Sequence, residues 1–209
     1  QAHATGLKIM IDLVINHCSG GDGVETNHLD GQGRWTRFSP QSGKFLRDFK
    51  CFHPSAYETW DQGVFGDMPD LCHRNPYVYT QLLEYARWLL EDVGFDGFRY
   101  DCVKGYGGWM IRAIQELRAV RGGRSFKPYG VGECWDSDRI IGEWLDETNA
   151  WSDDPVGAFD FPFRDRLKNL CDSYGYSLKN LAAPGTLLTD RPRQAVTFVE
   201  NHDVARSNP

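Results

Sequence analysis

Charged side chains that could perform acid–base chemistry follow an apolar segment in the middle of the chain. Residues 94–105 read GFDGFRYDCVKG, so Arg99 and Asp101 stand two positions apart where a short strand would end. Charged groups this close to a buried strand are costly to desolvate unless they are paired. One interpretation is a structural ion pair; the other is an active-site carboxylate that Arg99 keeps ionised by lowering its pKa.

Three other predicted strand ends carry similar chemistry. They are Asn16-His17 after LKIMIDLVI, Glu133 after YGVG, and His202-Asp203 after QAVTFVEN. Taken singly, each has a simpler interpretation as a core histidine, a solvated glutamate or a turn. Taken together, they add two carboxylates and two imidazoles to the Arg99–Asp101 pair.

Two carboxyl groups facing each other across a bond are the minimum equipment for cleaving a glycosidic linkage. One must stay protonated to donate to the leaving oxygen, and the other must stay ionised to attack or stabilise the sugar. Arg99 favours the ionised form of Asp101. Glu133 follows an apolar segment that could raise its pKa, so we expect Glu133 to be the acid.

The elements that must position these side chains alternate between strand and helix. Such alternation predicts a parallel sheet, and a (β/α)8 barrel gathers its site at the carboxyl ends of several strands. A doubly wound sheet would instead concentrate its ligands at one switch point, and no glycine-rich phosphate loop follows any strand. We therefore expect an α/β fold, a partial (β/α)8 TIM barrel with about five of eight strands. The predicted strands lie near residues 8–15, 95–100, 129–134, 156–161 and 195–200.

Local signals set the remaining boundaries. Asn75-Pro76 predicts the start of a helix that Gly94 ends, and Gly122-Gly123 is expected to close a helix over residues 109–120. The first strand is expected to be buried on both faces. Residues 18–75 lack a regular period and predict either a functional loop or a small inserted loop-rich subdomain, with residues 1–17 and 76–209 forming the barrel. Two further helices are expected over residues 138–148 and 164–170.

Composition narrows the class of protein. The chain has 209 residues, 41% of them hydrophobic, and a formal net charge of −6 without a basic stripe. These values argue against a nucleic-acid partner, and no apolar run is long enough to span a membrane. The first residues, QAHATG, look like the end of a helix, so we expect an internal fragment whose open barrel edges leave it inactive on its own.

The four stretches DLVINH, GFRYDCVKG, GECW and FVENHD resemble the signature regions of the α-amylase family, glycoside hydrolase family thirteen. The segment over residues 52–73 is most similar to archaeal and plant-type members. The resemblance implies retaining hydrolysis of internal α-1,4-glucosidic bonds in starch and related α-glucans. It also implies a monomer when complete and a secreted location. A transglycosylase of the same clan and a non-catalytic binding module are the alternative hypotheses.

The resemblance also implies roles for single residues. Asp101 would be the nucleophile, Glu133 the general acid/base and Asp203 a third carboxylate that grips the sugar. Arg99 would support Asp101. The implied substrate-binding residues are His17, His202, Lys104, Gly105, Tyr106 and Trp135.

Metal binding is implied in the insert. A structural Ca²⁺ would take oxygen ligands from sequence-distant loops, which suits the high coordination number of this cation. The implied ligands are Asn16, Asp61, Asp70 and the backbone carbonyls of Gly63 and Gly105. A second metal of the archaeal type would fall on His53, Glu58 and Cys72, which is a legitimate zinc set. The alternatives are acidic loops that face water, a buried apolar cysteine and a hydrogen-bonded core histidine.

Overall fold

A parallel sheet of five strands forms the centre of the molecule. The computed structural model describes residues 2–39, 44–61 and 64–204. The strands are β1 (Met10–Leu13), β2 (Gly23–Thr26), β3 (Gly33–Arg37), β4 (Gly97–Tyr100), β5 (Ala119–Arg121), β6 (Arg124–Phe126), β7 (Tyr129–Gly132), β8 (Gly157–Phe159) and β9 (Ala195–Val196). The helices are α1 (Pro76–Trp88), α2 (Gly107–Gln115), α3 (Asp138–Thr148), α4 (Phe161–Asp172) and α5 (Leu187–Asp190).

The sheet order is β1-β4-β7-β8-β9, and every neighbouring pair is parallel. Helices connect successive strands from β4 to β9, and α1 lies between β1 and β4. Five parallel strands in chain order, joined in this way, are what a partial (β/α)8 barrel requires. The predicted fold class is therefore confirmed.

The register of the parallel strands places the charged residues at the same height in the sheet. Asp12 of β1 pairs with Arg99 of β4, and Arg99 pairs in turn with Val131 of β7. The ladder continues past the strand ends, because Asp101 N donates to Leu13 O at 3.3 Å and Glu133 N donates to Tyr100 O at 2.9 Å. Asp101 and Glu133 thus leave adjacent strands side by side.

Side chains alternate between the two faces of β4, which separates its charged residues from its core residues. Arg99 and Asp101 share one face, whereas Phe98 and Tyr100 on the other face are completely buried. Tyr100 also accepts a hydrogen bond at 2.7 Å from Gln115 at the end of α2. On β7, a Cβ at Gly132 would lie 2.2 Å from the Trp144 ring of α3, so only glycine lets this helix approach.

Two helix boundaries follow the predicted signals. The Asn75 side chain accepts from Tyr77 N at 2.9 Å and caps α1, which continues as a π-helical turn over Leu89–Val93. Gly94 then ends the helix with a φ of +100°, in the left-handed region that glycine tolerates.

Two other boundaries were predicted incorrectly. Helix α2 ends at Gln115, and Gly122-Gly123 forms the turn of the β5–β6 hairpin rather than a helix stop. Both glycines have positive φ, which tight hairpin turns favour. Helix α4 begins at Phe161, three residues before the expected start, because the buried Asp160 carboxylate caps it by accepting from Phe163 N at 3.0 Å.

The segment over residues 18–75 is loop-rich apart from the β2–β3 hairpin and a 3-10 turn at Phe49–Cys51. Phe52 and Leu71 form an isolated antiparallel bridge and are buried in the same apolar cluster as the barrel helices. Leu71 N donates to Asn16 O at 2.9 Å, which fixes the end of the insert beside β1. The division at residues 18 and 75 remains a prediction.

Strand β1 is not buried on both faces, contrary to expectation. Leu13 is buried, but Leu7, Met10 and Val14 are 62%, 37% and 48% exposed. In the described part of the chain β1 pairs only with β4, so its apolar side chains have no neighbour on the other side. An exposed apolar edge of this kind favours pairing with other chains. No described helix combines the length and apolarity needed to cross a bilayer.

Candidate active site

Arg99 lies at the centre of a cluster of carboxylates. Its Nη1 is 2.7 Å from Asp12 Oδ1 and 2.5 Å from Asp101 Oδ1, and its Nη2 is 2.6 Å from Glu133 Oε1. Burial acts to lower the pKa of Arg99, but the carboxylates of Asp12, Glu133 and Asp101 raise it above its ordinary value. The guanidinium is therefore a fixed positive charge that orients Asp101 and Glu133 together.

The surroundings of Glu133 favour the protonated form of its carboxyl group. Its side chain is 10% exposed, and this burial is the largest cause of a raised pKa. The Arg99 charge and a hydrogen bond from Cys102 N at 3.2 Å act to lower the pKa, while Asp101 and Asp203 act to raise it. The net shift is upward, as the sequence predicted for an acid.

The backbone beyond Asp101 contributes directly to this arrangement. Cys102 has a φ of +46°, in the left-handed region that costs free energy for a residue with a side chain. This turn directs Cys102 N at the carboxylate of Glu133, while Val103 N donates to Glu133 O at 3.3 Å. Strained backbone is typical of functional sites.

His202 and Asp203 lie in a turn after β9. Asn201 Oδ1 accepts from Asp203 N at 3.1 Å and from Val204 N at 2.8 Å, which shapes this turn. His202 Nε2 is 3.1 Å from Asp203 Oδ2, and the His202 side chain is 63% exposed. Because the Asp203 charge acts on the pKa of Glu133, the third carboxylate lies within electrostatic range of the cluster.

Tyr106 and Gly105, which are predicted to line substrate subsites, are both buried. Tyr106 is 4% exposed, and its hydroxyl donates to Asp101 O at 2.8 Å from behind the site. Gly105 is buried at the end of the 3-10 turn Val103–Gly105, which begins two residues after Asp101. Tyr106 thus supports the backbone of Asp101, and Gly105 N donates to Cys102 O at 3.0 Å. Contact of either residue with a sugar stays a prediction.

Lys104 and Trp135 lie at the rim. Lys104 Nζ donates to Trp135 O at 2.9 Å and contacts Asp136 Oδ2 at 3.2 Å. The Trp135 ring is 41% exposed and stacks on Phe161 with centroids 4.9 Å apart. An exposed ring held flat by a buried aromatic is suited to contact with a sugar face.

His17 stands beside the insert. Its Nδ1 is 3.1 Å from Asn16 Nδ2, and its imidazole stacks on Phe65 at 4.7 Å between ring centroids. His17 also forms an isolated antiparallel bridge with Asp70. The first motif therefore joins the barrel to the segment predicted to bind calcium.

Two residues that contact the predicted site residues were not identified from the sequence. Asp12 stands in an apolar run, and the alignment of Asp12 with Arg99 follows only once the strand register is known. The single acid in an otherwise apolar run was the available sequence signal. Phe65 lies in an irregular segment, and no sequence period indicated that it would reach His17.

The predicted calcium ligands partly assemble. Asp70 is 3% exposed; its Oδ2 bonds His53 Nδ1 at 2.9 Å, and its Oδ1 has no hydrogen-bond partner among the described residues. A buried carboxylate oxygen without a donor is costly, and a hard cation would satisfy it. Asp61 Oδ2 lies 3.9 Å from His53 Nδ1, and Asn16 is completely buried beside Leu71. The donor set fits Ca²⁺, although Gly63 lies outside the described residues.

The predicted second metal set also comes together. One ligand atom from each of His53, Glu58 and Cys72 lies within 4.8 Å of the others. His53 uses Nδ1 for Asp70 and directs Nε2 toward Glu58, with 3.5 Å between Nε2 and Oε2. Burial acts to raise the pKa of Cys72, but hydrogen bonds with His53 and Ser55 lower it below its ordinary value. A thiol of lowered pKa and a histidine oriented by a carboxylate are suited to zinc.

Comparison with known proteins identifies the family. A family model described as "Alpha amylase, catalytic domain" matches residues 1–208, and the chain therefore belongs to this family. Alpha-amylase 3, chloroplastic, of Arabidopsis thaliana is 27% identical over 226 residues, covering 96% of this chain and 23% of that protein. A cyclomaltodextrin glucanotransferase of Geobacillus stearothermophilus is 27% identical over 221 residues, covering 98% of this chain and 29% of that protein.

A solved structure supports the fold. The alpha-amylase I variant of Eisenia fetida in complex with maltohexaose has a TM-score of 0.66 and 22% identity, covering 99% of this chain and 44% of that chain. At this identity the likeness concerns the fold alone. This chain spans less than half the length of each of these three proteins.

The electrostatic account of Glu133 predicts a measurable titration. In the full-length protein, Glu133 should titrate above an ordinary glutamate, and Asp203→Asn should lower its pKa because one repelling negative charge is lost. NMR titration of ¹³C-labelled glutamate carboxyl carbons, with Glu133→Gln for assignment, measures both. Asp165→Asn, on an exposed side chain of α4, is the matched control and should leave the titration unchanged. A Glu133 pKa that stays unchanged in Asp203→Asn would contradict the account.

Proposed function

We propose that this chain carries the catalytic residues of an endo-acting, retaining hydrolase of α-1,4-glucosidic bonds in starch and related α-glucans. The proposal depends on the Arg99 guanidinium, which bridges the carboxyl groups of Asp101 and Glu133. Glu133 is the more buried of the two, and its pKa is raised. Family membership supports the same reaction. Maltohexaose in the related Eisenia fetida structure is consistent with an oligosaccharide substrate.

The two carboxyl groups have complementary roles in the proposed reaction. Asp101 attacks the anomeric carbon while Glu133 gives its proton to the departing glycosidic oxygen, which forms a glycosyl-enzyme ester. Glu133, now ionised, takes a proton from water, which attacks the same carbon and releases Asp101. Two inversions return the product with the α configuration.

The surrounding residues stabilise charge and orient the sugar. Arg99 directs Asp101 through their ion pair, and Asp12 binds the same guanidinium nitrogen. Asp203, His17 and His202 would bind sugar hydroxyl groups around the reacting carbon. Trp135 supplies an exposed ring at the rim for a neighbouring sugar.

A transglycosylase of the same clan remains the second candidate function. It would use the same three carboxylates and pass the glycosyl group to a sugar hydroxyl instead of water. The similarity to a cyclomaltodextrin glucanotransferase is the observation that favours considering it. Products longer than the starting maltooligosaccharide would indicate transfer.

Calcium would act here as a structural ion. Asn16, Asp61 and Asp70, with carbonyls of Gly63 and Gly105, would hold it at the junction between the insert and β1. The ion would neutralise the buried charge of Asp70 and stabilise the backbone next to His17. A monomeric state and a secreted location are also part of this proposal, and one relative is chloroplastic by name.

Substitution of the two carboxyl groups tests the proposed chemistry. In the full-length protein, Asp101→Asn should lower kcat on a maltooligosaccharide on the order of 10⁴-fold or more, because an amide cannot form the glycosyl ester. Glu133→Gln should do the same for natural substrates. An aryl glycoside with an activated leaving group should partly rescue glycosylation in Glu133→Gln, since its departure needs no proton.

The matched control is Asp165→Asn, which changes an exposed aspartate on α4 and should leave kcat within about twofold. Near-normal activity of Asp101→Asn would refute the assignment. So would a wild-type product that first appears as the β-anomer.

Metal content tests the two sites in the insert. The full-length protein should contain calcium that stabilises it against heat by about 2.7 kcal/mol at a hundredfold excess over Kd. Asp70→Asn should abolish this stabilisation, whereas Asp67→Asn, on an exposed neighbour, should retain it. If the calcium effect is equal in wild type and Asp70→Asn, the calcium assignment fails.

Elemental analysis should also find one zinc per chain that is lost in Cys72→Ser. If no zinc is found, the second site is absent.

A further inference from the structure

Phe65 makes an unusual contact for an exposed aromatic residue. Its side chain belongs to the irregular part of the insert and is 52% exposed. The ring nevertheless stacks on the imidazole of His17, with centroids 4.7 Å apart and planes 9° from parallel. A half-exposed phenylalanine buries little apolar area, so the contact with His17 explains its position better than core packing does.

The same imidazole is fixed in its own plane by a second contact. Asn16 Nδ2 lies 3.1 Å from His17 Nδ1, and the amide nitrogen is a donor, so Nδ1 accepts. In the neutral ring the proton then resides on Nε2. Asn16 and Phe65 together therefore determine which nitrogen of His17 donates and in which direction.

The position of Asn16 is itself firmly set. Asn16 is completely buried, and its backbone carbonyl accepts from Leu71 N at 2.9 Å. Cys18 N, on the other side of His17, donates to Pro69 O at 2.9 Å. With the backbone fixed on both sides, the remaining freedom of His17 is rotation of its ring, which a stacked aromatic face restricts.

We propose that Phe65 is a positioning residue for the reaction, holding His17 so that Nε2–H points at a hydroxyl group of the sugar. This inference rests on the proposed glycoside hydrolase function and adds to it a side chain from the insert. Stacked aromatic pairs contribute enough free energy to change a rate by about threefold to tenfold. Loss of the stack should affect turnover by a factor of this size.

A double-mutant cycle in the full-length protein tests the role. Phe65→Leu should lower kcat/KM on a maltooligosaccharide about threefold to tenfold, mainly through kcat, while Phe65→Tyr keeps the ring and stays within about twofold. In the His17→Ala background, Phe65→Leu should cause no further loss, because the group that it positions is gone. The thermal midpoint of Phe65→Leu should match the wild type.

Other results would overturn the proposal. These are wild-type activity in Phe65→Leu, an equal loss with and without His17, or a Phe65→Leu protein whose melting temperature falls because the ring is part of the fold. Asp101→Asn in the same assay distinguishes a failure of the role of Phe65 from a failure of the proposed function. If Asp101→Asn is inactive but the cycle is additive, only the role of Phe65 fails; if Asp101→Asn is active, the proposed function itself fails.

Discussion

The site depends on one largely buried positive charge that three carboxylates share. Arg99 contacts Asp12, Asp101 and Glu133 at 2.5–2.7 Å, and its side chain is 13% exposed. One guanidinium cannot neutralise three carboxylates, so the remaining negative charge favours a proton on one of them. Glu133 is the least exposed of the three, at 10% against 18% for Asp101 and 47% for Asp12, and burial raises its pKa. This geometry supports the proposed roles of Glu133 as the acid and Asp101 as the nucleophile.

Two features of the fold make this sharing possible. Parallel register places Asp12 and Arg99 at the same level and lets Asp101 and Glu133 emerge together from adjacent strands. The insert then returns to the end of β1. There Asp70 forms an isolated antiparallel β-bridge with His17, and the Phe65 ring stacks on the His17 imidazole. The insert therefore links the predicted calcium ligand Asp70 to His17, which is predicted to bind the substrate.

Much of this arrangement could be predicted from the sequence, because the strands are apolar runs that end in charge. The five strands, the carboxylates and the capped start of α1 all rest on local patterns of this type. Asp12 and Phe65 could not be predicted, since their roles arise from register and from an irregular loop. The predicted end of α2 was wrong because Gly122-Gly123 suits both a helix stop and a hairpin turn. Only the pairing of β5 with β6 shows that the two glycines form a hairpin turn. The burial of Tyr106 could not be predicted either, because it depends on how the turn after β4 folds.

In the proposed mechanism, Arg99 holds Asp101 as the nucleophile while Glu133 keeps the proton. The most direct measurement is to trap the intermediate in the full-length protein with an activated fluorinated α-glucosyl substrate, whose glycosyl-enzyme ester forms faster than it hydrolyses. Mass spectrometry of the digested protein then locates the sugar. The account predicts one sugar per chain, attached to the peptide that contains Asp101. A sugar attached to Glu133 or Asp203, or inactivation with no covalent sugar on a catalytically active protein, would contradict it.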